Sequence, residues 1–267
     1  MINLTNVLNS SARVQVHAHW DAMKDGTFKL YEDSPQNVEL FDLSPAHPVK
    51  AYEASAFRAF FPPSDVTVGD VWELALDEVI PFLYQFHTGA TGTLVHGQEG
   101  AFACLRAVSS DYVDIAFRIH AEFTLESPAH REWAKANASD NWEPKARFIP
   151  SQFAGHVLIN LKTEQVCAFS LHLPPRNSNV DINAFGCADM VFVPRMELIA
   201  SDREARGEIA WDSAISEEAA RKALALKFYR FAEIAWKPIE EAVALAKATN
   251  RPLHAVLVWG PLDDESC

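Results

Sequence analysis

The chain has 267 residues, 49% of them hydrophobic and 22% charged, which suits one large globular domain or two modest ones. Its 23 Lys and Arg against 36 Asp and Glu leave a formal net charge of −13. That balance speaks against a nucleic-acid partner or an anionic membrane, both of which select for basic patches.

No apolar run approaches the roughly 20 residues of a membrane span. The start, MINLTNVLNSSARVQ, lacks a basic stretch followed by an apolar one, so no leader is expected. The four cysteines, Cys104, Cys167, Cys187 and Cys267, are far apart and contain no C-x-x-C pair. They form neither a disulfide framework nor a zinc set. The expectation is a cytoplasmic, reducing compartment, with no metal, no cofactor and no membrane partner.

Residues 1–67 mix polar and aromatic side chains without a sustained period and are treated as an N-terminal extension. His17 and His19 form an H-x-H pair of a kind common on strands by chance and are not expected to bind a metal. Phe61-Pro62-Pro63-Ser64-Asp65 reads as a turn or linker. Leu76 to His87 has near-helical apolar spacing interrupted by Pro81. Thr88-Gly89-Ala90-Thr91-Gly92-Thr93 resembles a phosphate loop only superficially. It lacks the Gly-Lys-Ser/Thr ending and reads as a turn.

From Gly100 the pattern is that of strands. Between Asp111 and Leu125 apolar residues alternate with Tyr112, Asp114, Arg118, His120, Glu122 and Thr124, and only Ala116 breaks the polar set. This predicts one long strand with one face on a core and the other in water. Gly155–Leu161, a turn at Lys162–Gln165, and Val166–Leu173 predict an antiparallel hairpin. Met190–Ala200 is a further strand, with Pro194 marking an edge or bulge. Cys187 is placed in a loop. Glu208–Trp211 is a short last strand.

After Trp211 the period becomes helical. Ser216 is the expected N-cap, with Glu217 and Glu218 in the first turn. Ala220, Leu224, Phe228, Phe231 and Ala235 form its apolar stripe. A second helix starts at Pro238, buries Ile239, Ala242, Val243 and Ala246, and ends on Asn250 before Pro252. A strand over His254–Trp259 follows, then an acidic loop and Cys267. The fold class expected is α+β. A β-rich body over 68–212 precedes an α/β piece over 213–267.

Several stretches together resemble the selenoprotein N family. The tail Leu257-Val258-Trp259-Gly260-Pro261-Leu262-Asp263-Asp264-Glu265-Ser266-Cys267 is similar to the strand, Leu-Asp-Asp loop and Ser-Cys that precede selenocysteine in that family. Phe117-Arg118-Ile119-His120-Ala121-Glu122-Phe123 and Ser151-Gln152-Phe153-Ala154-Gly155-His156 also resemble family segments. So do Asn179-Val180-Asp181, Val193-Pro194-Arg195-Met196-Glu197-Leu198 and Glu217-Glu218-Ala219-Ala220-Arg221, all in the family's order.

The resemblance implies that residues from 213 onward are the N-terminal half of a thioredoxin-like α/β domain. It also implies a chain that stops immediately before the selenocysteine position. The implied activity is thiol/selenol–disulfide exchange on a protein or small-molecule disulfide, with Cys267 as one of two chalcogens. No D-x-D-x-D-G loop is present, so the calcium site of animal members does not carry over.

Arg118, His120 and Glu122, two residues apart on one strand face, suggest either a polar cleft beside the redox loop or a buried hydrogen-bonded network, the commoner case. Asn179 and Asp181 are loop-stabilising side chains first and site contributors second. The rival functional reading is a non-catalytic β-rich partner-binding module with a remnant redox tail.

Overall fold

The alternating stretch at 111–125 becomes two strands. In the computed structural model, which describes residues 1–4, 7–8, 12–23, 43–94, 97–125, 146–175, 179–184, 187–200, 209–229 and 233–255, the chain changes sheets at Ala121. The architecture is α+β, with antiparallel sheets and a few helices.

Among the described residues the strands are β1 (Arg13–Trp20), β2 (Val49–Glu53), β3 (Val71–Glu73), β4 (Ala90–Thr91), β5 (Gly100–Val108), β6 (Tyr112–His120) and β7 (Glu122–Leu125). They continue with β8 (Ala146–Pro150), β9 (Phe153–Asn160), β10 (Gln165–His172), β11 (Val180–Ala184), β12 (Cys187–Val191), β13 (Met196–Ala200) and β14 (Ser213–Ala214). A 3-10 helix spans Ala54–Phe60, and the α-helices are α1 (Leu76–Leu83), α2 (Glu217–Phe228) and α3 (Ile239–Thr249).

A nine-stranded sheet runs β14-β5-β6-β9-β10-β13-β1-β2, with β3 also paired to β5. A five-stranded sheet runs β12-β11-β8-β7-β4. Three near-continuous strand pairs pass from one sheet to the other: β6 to β7 at Ala121, β8 to β9 at Ser151-Gln152, and β12 to β13 around Pro194. Proline has no N–H for a ladder, so it suits a crossing point where pairing lapses.

The core lies on the inner faces. Val113, Ile115, Phe117 and Ile119 of β6 point into it. The 3-10 helix and α1 cover that face with Phe57, Phe60 and Phe82, which pack on Phe117 and Phe169 at ring separations of 4.4 to 5.8 Å. Trp20, Phe86, Phe123, Phe148 and Phe153 fill a second aromatic group. Each fully buried phenylalanine is worth roughly 1.5–3 kcal/mol. Gly155 sits opposite Phe117 in the β6–β9 register, and a Cβ there would run into the Phe117 ring and the Ser170 carbonyl oxygen.

The hairpin of β9 and β10 matches its expectation, with Asn160 Oδ1 accepting from Lys162 N at 2.9 Å and Thr163 N at 3.0 Å to shape the turn. Pro81 is accommodated inside α1. Ser216 caps α2 through a bond from Ala219 N to its Oγ at 3.1 Å, and Asn250 takes the left-handed position (φ 50°) after α3.

Other expectations are corrected. The polar face of β6 is not wet: Asp114, Arg118 and His120 are buried, because α2 lays Ala220 and Leu224 on Cys104 and Ala116 and closes that face. The apolar side of α3 is not buried. Ile239 is exposed and Ala242, Val243 and Ala246 are half-buried, since no described element covers them. The short strand after 208 falls at Ser213–Ala214, where it can pair with the end of β5, while 209–211 are irregular. Cys187 is not in a loop but begins β12, paired with Ala184. The N-terminal stretch supplies β1, which pairs with β13 and β2 inside the large sheet. Of the expected strand at His254–Trp259, His254 and Ala255 are irregular; positions 256–267, Cys267 among them, lie outside the described residues.

Candidate functional site

The outer face of the nine-stranded sheet carries polar residues in register. His172 of β10, Ala154 of β9, Arg118 of β6 and Phe102 of β5 stand in one row across the strands. Ser170, His156, Ala116 and Cys104 stand in the next. Because strand side chains alternate, all of these face away from the phenylalanine core. Helix α2 covers only the β5–β6 part. A cleft of about 270 Å³ remains between its first turns and strands β6, β9 and β10.

Sheet residues Ala116, Arg118, Ala154, His156 and His172 line it from below, with Gln152 at the strand crossing. Helix residues Glu217, Glu218, Arg221 and Leu224 line it from the side. Glu218 and Arg221 form a two-point ion pair at 2.9 and 2.7 Å, which holds the Glu218 carboxyl below its usual range.

Arg118 is held in a stack. Its Nε donates to His120 Nε2 at 2.8 Å and one terminal nitrogen donates to the Tyr229 hydroxyl at 3.3 Å. Its guanidinium lies 5.0 and 5.1 Å from the Phe228 and Tyr229 rings. The His120 ring stacks on Phe228 at 3.7 Å. Behind the cleft, the buried Asp114 carboxylate sits between the Arg106 guanidinium and His156 Nδ1, the latter at 3.3 Å. Arg106 in turn lies over Trp211 at 5.2 Å.

Of the residues singled out from sequence, the fold joins Arg118 to His120 on one face. Glu122 belongs to β7 in the other sheet, where its carboxylate pairs with Arg147 of β8. Asn179 is fully buried and is a clamp. Its side-chain nitrogen donates to the Pro174 and Val193 carbonyls at 3.1 and 2.9 Å, and its Oδ1 accepts from Val193 N at 2.9 Å. Asp181 lies in β11 opposite Met190 and Ile149. Cys267 falls outside the described residues.

Sequence reading missed His156, His172, Glu217 and Arg221 as neighbours. The available signal was the amphipathic stripe of α2. An apolar stripe on a helix points to a packed neighbour, here the outer face of β5 and β6.

No helix among the described residues is long and apolar enough to cross a membrane. No family model matches the chain, and no solved structure matches it. Similarity to curated proteins is extensive. The chain is 29% identical to selenoprotein N of Danio rerio over 91% of its own length and 52% of that protein. It is 28% identical to selenoprotein N of Homo sapiens and of Mus musculus over 83% of its length, covering 45% and 48% of theirs. The chain thus spans about half the length of the curated relatives it matches.

Proposed function

We propose, for a chain that belongs to the selenoprotein N family, a role as part of a thiol/selenol–disulfide oxidoreductase in which Cys267 is one reacting chalcogen. The observation that carries this reading is the tail Leu262-Asp263-Asp264-Glu265-Ser266-Cys267, whose likeness to the family's redox motif extends along a chain similar to the relatives through most of its length. The second chalcogen is proposed at the position that follows Cys267 in that motif. Helices α2 and α3 are proposed to open a thioredoxin-like half.

In the exchange, one chalcogenide attacks a substrate disulfide and displaces one substrate thiolate. Its partner then attacks the mixed bond, displaces the second thiolate, and leaves the enzyme pair oxidised. The substrate disulfide gains two electrons and the pair loses two. The substrate class is a protein or small-molecule disulfide. Arg118, His120, Glu122, Asn179 and Asp181 are proposed to shape the body that carries the centre. Free Cys104 and Cys167 suit a reducing compartment, and the cytoplasm is proposed.

The test is to read the DNA after codon 267 and to express the protein with the downstream sequence and cysteine at the next position. An in-frame TGA followed by Gly-Ser-Gly codons supports the reading; TAA or TAG counts against it. Insulin reduction that disappears in Cys267→Ser supports the chemistry. Equal rates in the two proteins overturn it and favour the β-rich body as a partner-binding module.

A further inference from the structure

The cleft beside α2 is formed by the β-rich body and the first turns of that helix, so it is independent of the redox reading. Its charged residues are already matched within the protein. Glu218 and Arg221 hold each other at two points. His156 faces one oxygen of the buried Asp114 carboxylate at 3.3 Å, and Arg106 takes the other. Arg118 donates to His120 and Tyr229. Glu217 and His172 have partners of their own in the protein as well. A charged ligand would lose hydration on entry and would have to displace one of these contacts, which is an unfavourable exchange.

One polar side chain differs. Gln152 is 4% exposed and lines the cleft, and no described residue donates to its carboxamide or accepts from it. It stands one step before the last pairs of β9, which are Phe153 with Ile119 and Ala154 with His172. Its position is fixed from both sides. Ser151 N donates to the Asn179 carbonyl at 2.8 Å, and the Phe153 ring packs on Phe86 and Phe123 in the core. Since Phe153 points inward, Gln152 and Ala154 point outward into the cleft. A buried carboxamide without an internal bond is a cost to the folded chain, and such exceptions concentrate at sites.

We propose that this cleft binds an uncharged primary carboxamide on a short aliphatic stem, its amide paired head to head with that of Gln152. A carboxamide sets an acceptor oxygen beside a donor N–H. A second primary carboxamide meets both at once, because its own C=O and N–H lie side by side in the opposite order. The surrounding wall is small and apolar, with Ala116 and Ala154 on the floor and Leu224 at the side. The volume of about 270 Å³ suits an amide and a few carbons and is at the lower limit for small-molecule pockets. The same group is carried by a free small amide and by a glutamine side chain of a partner protein.

The experiment is ligand-observed NMR titration of the 267-residue protein with isovaleramide and with isovalerate, isoamylamine and methyl isobutyl ketone, which keep the stem and change the head. Saturable binding of the amide is expected, with the other three weaker by about tenfold or more, since each leaves part of the Gln152 carboxamide unmet. A blocked peptide, N-acetyl-Ala-Gln-Ala N-methylamide, separates the two sources. Tighter binding than isovaleramide, lost when norleucine replaces its glutamine, assigns the group to a partner protein; weaker binding assigns it to a free amide. Gln152→Leu keeps the size and removes both polar atoms. It should abolish amide binding with the melting temperature retained, because no internal bond is lost. The proposal is overturned by no saturable binding of isovaleramide or the peptide, by equal affinity for the ketone, or by unchanged amide binding in Gln152→Leu. Should Gln152→Leu fail to fold, the comparison of amide with ketone on the unaltered protein decides alone.

Discussion

Arg118 donates to His120 across two positions of one strand, Nε to Nε2 at 2.8 Å, and both side chains rest on Phe228 of helix α2. The pair ties the end of that helix to β6 of the large sheet. Lysine has no fork and no planar face, so Arg118→Lys gives up the stack and the His120 bond together. We expect Arg118→Lys to lose about 1–3 kcal/mol of stability, read by chemical denaturation. An unchanged midpoint would show that the stack contributes nothing.

Glu122 and Arg147 join β7 to β8 in the other sheet, with the Glu122 side chain 1% exposed and that of Arg147 31% exposed. Removing only the cation strands a buried carboxylate. Arg147→Ala is expected to cost about 2–3 kcal/mol, below the roughly 3–5 kcal/mol of a fully buried pair because the arginine is partly solvated. Adding Glu122→Gln should recover part of the loss. A double-mutant cycle by equilibrium unfolding measures the coupling. If the two losses simply add, the ion pair is not the cause.

Periodicity made the alternating stretch from Asp111, the β9–β10 pair and the start of α2 legible. The β9–β10 hairpin, the Ser216 cap and the Asn250 stop all follow from local rules that tertiary contacts leave intact. What local pattern does not encode is which sheet a strand joins. A period of two runs unbroken through Ala121, yet the two sides of that residue pair with different neighbours. The same blindness hid the site. His156 and His172 approach Arg118 only through strand register, and α2 sits on top through contacts more than 100 positions apart in sequence, such as Arg118 with Tyr229. The N-terminal β1 has its own alternation, Val14, Val16, Ala18 and Trp20, but is too short to stand out from its polar surroundings.

Asn179 fixes the approach to β11 with one amide. It donates to the Pro174 and Val193 carbonyls and accepts from Val193 N, while its own backbone pairs with Ser151 and Val191. Asn179→Ala should cost about 2–4 kcal/mol, from the bonds lost and the buried carbonyls left without their donor. Asn179→Asp should be at least as damaging, because a carboxylate replaces the donating nitrogen. Thermal unfolding of both variants checks this. A fully stable Asn179→Ala would refute the clamp.

Cys104 lies in β5 under α2, buried, in contact with Ala116, Ala220 and Leu224. Burial pushes its thiol from 9.0 up to about 11, and the Asp70 carboxylate adds to the effect. The folded protein therefore keeps a proton that the unfolded chain releases first. The stabilisation is complete below pH 9.0 and is lost as pH rises through about 11. The thiolate is the reactive form, so at neutral pH iodoacetamide should not modify Cys104 in the folded protein and should modify it readily in urea. Burial also raises the half-buried Cys167 thiol, which should react slowly. Mass mapping after timed alkylation reads both. Rapid labelling of folded Cys104 would mean that α2 lifts from β5 and β6 on the labelling timescale. It would also make the side wall of the cleft, which α2 supplies, mobile.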